Sequence, residues 1–122
     1  MLIRERVQGL VQAVEQGHIL EAIQEFYADD VTMQDNQNPP TMGRAANLAR
    51  EEKFGGIIAE VHENRAASFM VDGDQATIHW LFDFTDKEGK HFHFDQLSQQ
   101  TWRGHHIVSE RFYYDTATLI IG

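Results

Sequence analysis

The stretch that decides the fold of this 122-residue chain is Phe26-Tyr-Ala-Asp-Asp-Val-Thr-Met-Gln-Asp-Asn-Gln-Asn-Pro-Pro-Thr-Met-Gly43. Helical spacing of apolar residues ends within it, and residues 31–35 alternate as a short β-strand. Pro39 and Pro40 then predict a loop, because proline can neither continue a helix nor donate a hydrogen bond to a sheet. Asp35 therefore stands where a strand gives way to a loop, and the rest of the chain is predicted to surround it.

Two short amphipathic helices are predicted before this stretch and one after it. Apolar residues recur at helical spacing over residues 3–14 and again over residues 19–27, with Gly17 between the two segments. Asp29 and Asp30 are predicted to close the second helix. The third helix is predicted over residues 44–53, which are rich in alanine and charged side chains.

From residue 57 onward the pattern is typical of β-strands, which we predict over residues 57–71, 75–85, 91–103 and 107–114. If the central hairpin is regular, Thr85 faces His91, and the pairs on one face are Phe84 with Phe92, Phe82 with Phe94, Trp80 with Gln96, and Ile78 with Ser98. The other face carries Asp83 opposite His93. This order of elements predicts an α+β fold, in which helices pack on one face of a curled antiparallel sheet.

The composition excludes several classes of function. The formal net charge is −9, and a surface of that sign repels phosphate backbones and anionic lipid, so we expect neither nucleic acid nor membrane as a partner. The chain contains no cysteine, which removes disulfides, thiol nucleophiles and Cys-ligated zinc. Since no apolar run approaches about 18 residues and the N-terminus lacks a signal-peptide pattern, we predict a cytoplasmic protein.

Several segments resemble the nuclear transport factor 2-like superfamily, and within it the SnoaL-like polyketide cyclases and the ketosteroid isomerases. They are residues 26–35, Pro39-Pro40, Gly43-Arg44, Gly55-Gly56, and the ending Trp102-Arg-Gly-His-His-Ile107…Glu110-Arg-Phe-Tyr-Tyr-Asp115. The resemblance covers nearly the whole chain as a single SnoaL-like domain, residues 1–122. It implies a cone-shaped, curved antiparallel sheet packed on three N-terminal helices and enclosing an apolar pocket, commonly in a homodimer formed through the sheet.

The resemblance also implies a catalytic base. Asp35 matches the position of the isomerases' general base, and a carboxylate in an apolar cavity is suited to remove a proton α to a carbonyl. The two main oxyanion-hole positions of the isomerases fall on Val11 and Ser98, so steroid isomerisation is not expected. Asp35 has a simpler reading as well, because aspartate at a strand end often caps its own loop.

The residues predicted to line the pocket and bind the ligand are Tyr27, Trp80, Gln96, Ser98, Glu110 and Tyr114. Tyr27 matches a supporting tyrosine of the family, and the hairpin register turns Trp80, Gln96 and Ser98 inward. The last strand alternates poorly. The resemblance turns Glu110 and Tyr114 inward, whereas a tight two-residue turn at Gly104 would instead turn inward Ser109, Arg111 and Tyr113.

The outer face of the hairpin carries His91, His93, Asp83 and Asp95, which are residue types that bind zinc or iron. That face points away from the predicted pocket, and cross-strand pairs of aspartate and histidine are ordinary surface contacts. We therefore predict no metal site and no organic cofactor.

The predicted function is binding of a small apolar molecule that contains a carbonyl group and is polyketide- or steroid-like, with cofactor-independent isomerase or cyclase chemistry at Asp35. The alternative is a non-catalytic ligand-binding or protein-interaction module of the same fold. A dehydratase would require a His–Asp dyad inside the barrel, and the nearest histidine, His79, lies on the outer face. A homodimer is expected because that face also bears Leu97 and other apolar residues to be covered.

Overall fold

The computed structural model describes residues 2–121, without the side chain of residue 121, as three helices and one curved sheet. The helices are α1 (Ile3–Glu15), α2 (Ile19–Phe26) and α3 (Arg44–Gly55). The strands are β1 (Tyr27–Asp35), β2 (Thr41–Met42), β3 (Ile58–Asp72), β4 (Gln75–Asp86), β5 (His91–Arg103), β6 (His106–Tyr113) and β7 (Ile120–Ile121). The predicted α+β fold is confirmed. None of the described helices combines the length and apolar character of a membrane span.

The sheet has the strand order β2-β1-β6-β5-β4-β3, and the short β7 pairs with β5. Every neighbouring pair is antiparallel except β1 and β6, which run parallel. The sheet is therefore mixed, whereas the sequence predicted an antiparallel one. The reason is topological: the chain leaves β1, forms the meander β3 to β6, and returns beside β1 in the direction in which β1 itself runs.

The central hairpin has the register that the sequence predicts. Thr85 pairs with His91, and the predicted pairs from Phe84–Phe92 to Ile78–Ser98 are all present. The turn is held by Asp86, whose Oδ1 accepts hydrogen bonds from the backbone N–H groups of Glu88 at 2.9 Å and Lys90 at 2.8 Å. This local capping sets the register, because a turn of fixed geometry leaves the strands one alignment.

The core lies between the sheet and the first two helices. We call the helix-covered side of the sheet its inner face and the opposite side its outer face. Ile78, Trp80 and Trp102 of the inner face pack in one buried cluster with the apolar side chains of α1 and α2, which are Val7, Leu10, Val14, Ala22, Ile23 and Phe26. These helical residues follow the spacing that the sequence shows, so the amphipathic prediction accounts for the core.

The predicted end of the second helix is wrong by a few residues. The helix ends at Phe26, and Tyr27 already has extended backbone angles of φ −103° and ψ 138°. Asp29 and Asp30 lie within β1, where their carboxylates form ion pairs with Arg44 and Arg103. β1 is formed by its pairing with β2 and β6, which come later in the chain, and helical spacing alone cannot register such partners.

The last hairpin contains both the tight turn and the inward Glu110 that the sequence treated as alternatives. Gly104 and His105 form the two-residue turn, in which Gly104 adopts a φ of +63°. Trp102 pairs with Ile107, and the preceding residue of β5, Thr101, pairs with Ser109. Val108 is therefore one extra residue in β6 with no partner in β5. This β-bulge reverses the alternation of the strand. Ile107 and Glu110, three residues apart, are therefore both buried, at 0% and 3% exposure.

Candidate functional site

The inner face brings together most of the predicted site residues in two rows across neighbouring strands. One row runs through Ala76, Gln100, Glu110 and Met33, and the next through Ile78, Ser98, Phe112 and Asp35. Trp80 and Gln96 form the start of a third row. Side chains that are paired across strands share one face of a sheet, so Asp35 and Glu110 both belong to the inner face.

Glu110 is the most enclosed acidic side chain of this face. It is 3% exposed, and each of its carboxylate oxygens accepts a hydrogen bond. Oε1 accepts one from the Tyr27 hydroxyl, and Oε2 accepts one from Gln100 Nε2 at 2.7 Å. Tyr27 is itself 3% exposed and stands at the junction of α2 and β1. A buried carboxylate needs such donors, because it has lost its hydration.

The two tryptophans of the chain orient the groups around Glu110. Trp102 Nε1 donates to Gln100 Oε1 at 3.1 Å, and an indole N–H can only donate. The amide oxygen of Gln100 is therefore engaged, which leaves its NH₂ group to face Glu110. In the same way, Trp80 Nε1 donates to Ser98 Oγ at 3.2 Å, so the Ser98 hydroxyl proton is directed elsewhere, and Ser98 is a further hydrogen-bond partner of Glu110.

The environment of Glu110 changes its acidity. Burial raises the pKa of its carboxyl from 4.5 to about 7, while the hydrogen bonds from Tyr27, Gln100 and Ser98 limit the rise. Burial, together with the charge of Glu110, raises the pKa of the Tyr27 hydroxyl well above 10.0. Glu110 therefore exchanges its proton near neutral pH, where an ordinary glutamate is ionised. This is the property expected of a general acid or base.

Asp35 lies at the open side of the same face and has a different partner. Its Oδ2 is 3.3 Å from Arg50 Nη1 of α3, and its side chain is 30% exposed. Asp35 is one row away from Glu110, and the spacing of strands and residues puts their Cα atoms about 8 Å apart. The charge of Asp35 also contributes to raised pKa values for Glu51 and Tyr114, after burial as the main cause. One carboxylate is thus ion-paired while the other is buried among neutral donors.

The predicted ligand-binding residues occupy different parts of this arrangement. Tyr27 is hydrogen-bonded to Glu110, Ser98 lies close enough to Glu110 to help limit the rise of its pKa, and Trp80 donates to Ser98. Gln96 pairs with Trp80 and is 8% exposed. Tyr114 lies beyond β6 near Asp35, with its ring 5.1 Å from that of Phe94.

Sequence reasoning placed Gln100 on the pocket wall beside Gln96 and Ser98, but it did not assign a site role to Trp102, Arg50 or Glu51. Trp102 continues the alternation that begins at Gln96, so the period of two residues points to it. Arg50 and Glu51 of α3 have no such signal, because their position depends on how α3 lies over the sheet. The dehydratase alternative finds no support among the described residues, since the His79 ring bonds to Asp95 at 2.6 Å on the outer face.

Two surface depressions are present in the described part of the chain. One, of about 550 Å³, is lined by Gln24, Asp29, Arg44, Ala45 and Leu48 between α2 and α3. The other, of about 390 Å³, opens mainly on the outer face, and its lining includes Thr32, Gln34, Met42, Gln99, Arg111 and Tyr113. Glu110 also borders this second depression, whereas neither depression contains Asp35 or Tyr27.

A family model described as a SnoaL-like domain matches residues 7–110. A protein from Mesorhizobium loti, named as a candidate SnoaL-like polyketide cyclase and as a carbohydrate phosphatase, is 26% identical with a TM-score of 0.84. The match covers 93% of this chain and 100% of that one. The comparison with curated proteins gives no match.

Two further solved structures share the fold at lower identity. One is a hypothetical protein with a ketosteroid isomerase-like fold from Catenulispora acidiphila, in complex with trimethylamine. It is 23% identical, with a TM-score of 0.78 over 94% of this chain and 88% of that one. The other is an epoxide hydrolase from M. tuberculosis, 12% identical, with a TM-score of 0.77 over 96% and 85%. From the extent of the family match and the shared architecture, we conclude that the chain belongs to the SnoaL-like domain family.

Proposed function

We propose that the inner face of the sheet binds a small apolar carbonyl compound, of a polyketide- or steroid-like type, and catalyses its cofactor-independent isomerisation or cyclisation. Asp35 is the base, and protonated Glu110 donates a hydrogen bond to the substrate oxygen. The observation that carries the proposal is the buried Glu110 carboxyl with a pKa of about 7, one row from an ion-paired Asp35. Carboxyl groups whose environments differ in this way are suited to opposite roles in acid–base catalysis.

The proposed step removes a proton from the carbon α to the carbonyl. The C–H bond breaks, the proton goes to a carboxylate oxygen of Asp35, and the electron pair moves onto the carbonyl oxygen to give an enolate. Glu110 stabilises that oxygen, because a preorganised donor in a dry site is worth more than one in water. In an isomerase the protonated Asp35 then returns the proton to another carbon of the enolate. In a cyclase the enolate carbon attacks a second carbonyl, and the oxygen of that carbonyl takes the proton from Asp35, which regenerates the carboxylate.

The acidity of Glu110 makes this role available at physiological pH. With a pKa of about 7, roughly half of the molecules carry the proton at neutral pH. A glutamate with the ordinary pKa of 4.5 would be ionised almost completely there and could only accept hydrogen bonds. Tyr27 supports the role, because its hydroxyl already points at Glu110 Oε1 and holds the carboxyl in place.

The walls around the two carboxyl groups suit an apolar ligand. The rings of Phe94 and Tyr114 meet edge to face near Asp35, and Trp80 stacks on Phe82 with ring centroids 5.6 Å apart. In the proposal, Gln96 and Tyr114 contact the ligand, while Trp80 holds Ser98 in position. Arg50 and Glu51 of α3 bound the approach to the site.

The test is the exchange of the α protons of 2-tetralone for deuterium in D₂O, followed by ¹H NMR. This simple ketone reports proton abstraction without knowledge of the natural substrate. We expect acceleration by the unchanged protein and a loss of at least about tenfold in Asp35→Asn, because a general base typically contributes more than that. The matched control is Asp95→Asn, which removes a carboxylate from the outer face and is expected to exchange the ketone like the unchanged protein.

Glu110→Gln separates the roles of the two carboxyl groups. In the unchanged protein we expect the exchange rate to fall above neutral pH, because Glu110 loses the proton that it donates. An amide still donates a hydrogen bond but does not titrate, so we expect Glu110→Gln to keep part of the exchange rate and to show no such fall. If Asp35→Asn exchanges the ketone at the rate of the unchanged protein, Asp35 is not the base and the proposed step is wrong.

A second candidate is a non-catalytic ligand-binding or protein-interaction module of the same fold. It is favoured by the fact that both oxygens of Glu110 are engaged by the chain itself and that the side chain is nearly inaccessible. This candidate predicts that the protein does not raise the exchange of the 2-tetralone protons above the uncatalysed rate, whether or not the ketone binds.

We also propose that the protein is a cytoplasmic homodimer that associates through the outer face. Leu97 and Tyr113 pair across β5 and β6 on that face and are 46% and 41% exposed. Tyr113 also lines the outer depression, where Met42 is 71% exposed. A second copy that covers this surface removes its apolar area from water.

A further inference from the structure

Three histidines from two strands meet around one carboxylate on the outer face, at the end of the sheet away from Leu97. Asp83 of β4 accepts hydrogen bonds at both oxygens: Oδ1 from His91 Nε2, and Oδ2 from His93 Nδ1 at 3.0 Å. Its side chain is 17% exposed. The third histidine, His62, comes from the neighbouring strand β3, and its ring is 5.4 Å from that of His91.

The position of His62 depends on a β-bulge. In the pairing of β3 with β4, Val61 faces Phe84 and Glu63 faces Asp83, so His62 is one extra residue. A bulge of this kind turns a side chain toward a place that regular pairing would not give it. His62 Nε2 accordingly lies 2.8 Å from Thr85 Oγ1, on the face that also carries Asp83 and His91.

The donor set and its spacing match a metal site. One ligand atom each of His62, Asp83 and His91 lies within 4.8 Å of those of the other two. A tetrahedral zinc ion with bonds of about 2.1 Å separates its ligand atoms by about 3.4 Å, so rotations of these half-exposed side chains close the gap. Two imidazoles and one carboxylate are a donor set of the kind that catalytic zinc sites use, and they leave a fourth position for water.

The surroundings include the outer partners that such ligands usually have. His93 Nδ1 holds the second oxygen of Asp83, and Glu60 Oε1 lies 3.9 Å from His62 Nδ1. Contacts of this type fix the orientation of a ligating carboxylate and the tautomer of a ligating histidine. The contact of Asp83 with His93 is an ordinary cross-strand pair between β4 and β5. Such a pair does not explain why the bulge in β3 brings His62 to the same carboxylate.

The sequence alone predicted no metal site on this face, because it could not show the approach of His62; from the observed geometry we propose that His62, Asp83 and His91 bind a divalent transition-metal ion of the zinc type, with His93 as a positioning residue. The ion joins the edge strand β3 to β5 across β4. The net charge of −9 favours the approach of a cation from solution. This site lies on the opposite side of the sheet from Asp35 and Glu110 and is independent of the proposed acid–base function.

The test uses the full chain without a polyhistidine tag, freed of metal with a chelator and titrated with Zn²⁺ by calorimetry and with Co²⁺ by visible absorption. We expect one ion per chain and the absorption bands of four-coordinate Co²⁺. We expect Zn²⁺ also to raise the thermal unfolding midpoint, because a ligand that binds only the folded state stabilises it.

The matched control is His79→Ala, which removes a histidine that is bonded to Asp95 on the same face but lies outside the cluster. We expect this variant to bind Zn²⁺ like the unchanged protein, and His62→Ala and His91→Ala to lose at least about tenfold in affinity. His93→Ala is expected to weaken binding less than either ligand variant. Absence of saturable Zn²⁺ binding in the unchanged protein, unaltered binding in His62→Ala, or an equal loss in His79→Ala overturns the proposal.

Discussion

Glu110 shows how one buried residue can acquire an acidity that its type does not normally have. Its neighbours Tyr27, Gln100 and Ser98 stabilise the carboxylate, yet burial outweighs them, and the pKa rises to about 7. All three neighbours are neutral. A guanidinium in the same place would reverse the outcome, because an opposite charge at short range favours the ionised form.

This acidity has a consequence for stability. The folded state holds a proton on Glu110 up to about pH 7, whereas the unfolded chain releases it near pH 4.5. Between these values the folded state binds more protons, so the free energy of unfolding falls as the pH rises. The pKa shift of Glu110 corresponds to a contribution of about 3 kcal/mol to the free energy of unfolding at low pH, and this contribution is lost once the pH exceeds about 7.

The measurement is urea unfolding from pH 4 to 8 for the unchanged protein and for Glu110→Gln. The amide cannot titrate, so we expect the difference in unfolding free energy between the two proteins to change by about 3 kcal/mol across this range. A difference that does not vary with pH would mean that Glu110 has the same pKa in the folded and unfolded states, and would contradict the raised pKa.

At the residue scale, the sequence identified several members of the site but not their chemistry. Tyr27, Ser98 and Glu110 were assigned to one pocket, and they are in contact. The acidity of Glu110 was not predictable, because it depends on the total enclosure of the side chain. The partner of Asp35 was not predictable either, because Arg50 comes from a helix whose placement over the sheet is set by packing.

At the scale of the elements, hairpins were predictable where the turn determines the register. Asp86 caps its own turn, and every predicted pair of β4 with β5 is present. Bulges were not predictable, because they insert one residue without a composition signal of their own. Val108 in β6 and His62 in β3 are both such residues, and each changes which side chains reach a site.

The connection between β2 and α3 depends on one buried amide. Asn47 is 0% exposed, and its Nδ2 donates to the backbone oxygens of Thr41 at 3.1 Å and Gly43 at 2.8 Å. These bonds hold the start of α3 against β2. The orientation of α3 in turn determines where Arg50 and Glu51 meet the inner face.

We expect Asn47→Ala to lower the free energy of unfolding by about 1–3 kcal/mol, because two backbone oxygens lose their donor in a buried place. Thermal unfolding followed by circular dichroism measures this loss. The exposed Asn38 in the preceding loop is the control, and Asn38→Ala is expected to stay within about 0.5 kcal/mol of the unchanged protein. Equal effects of the two substitutions would contradict the role given to Asn47.

At the scale of the whole molecule, the resemblance and the family match agree on an α+β fold with three helices and a curved sheet. The inner and outer faces then have different chemistry, since the carboxyl groups of Asp35 and Glu110 lie on one side and histidines and exposed apolar residues on the other. The helical and strand patterns could not supply the parallel pairing of β1 with β6, nor the short strands β2 and β7 that pair with β1 and β5.

The homodimer proposed for the outer face makes a prediction at this scale. We expect light scattering to give the mass of two chains for the unchanged protein and of one chain for Leu97→Glu, because a buried, unpaired charge opposes association. The control is Val61→Glu, at an exposed apolar position of the edge strand β3, and we expect this variant to keep the mass of two chains. A single-chain mass for the unchanged protein would rule out the dimer.

We expect Glu110 to exchange its proton near neutral pH inside the domain. An NMR titration of the protein with ¹³C-labelled glutamate carboxyl groups measures this exchange, and the signal absent from Glu110→Gln is assigned to Glu110. We expect an apparent pKa of about 7 for this signal. An apparent pKa at or below the ordinary 4.5 would contradict it, because Glu110 would then be ionised at neutral pH and unable to donate.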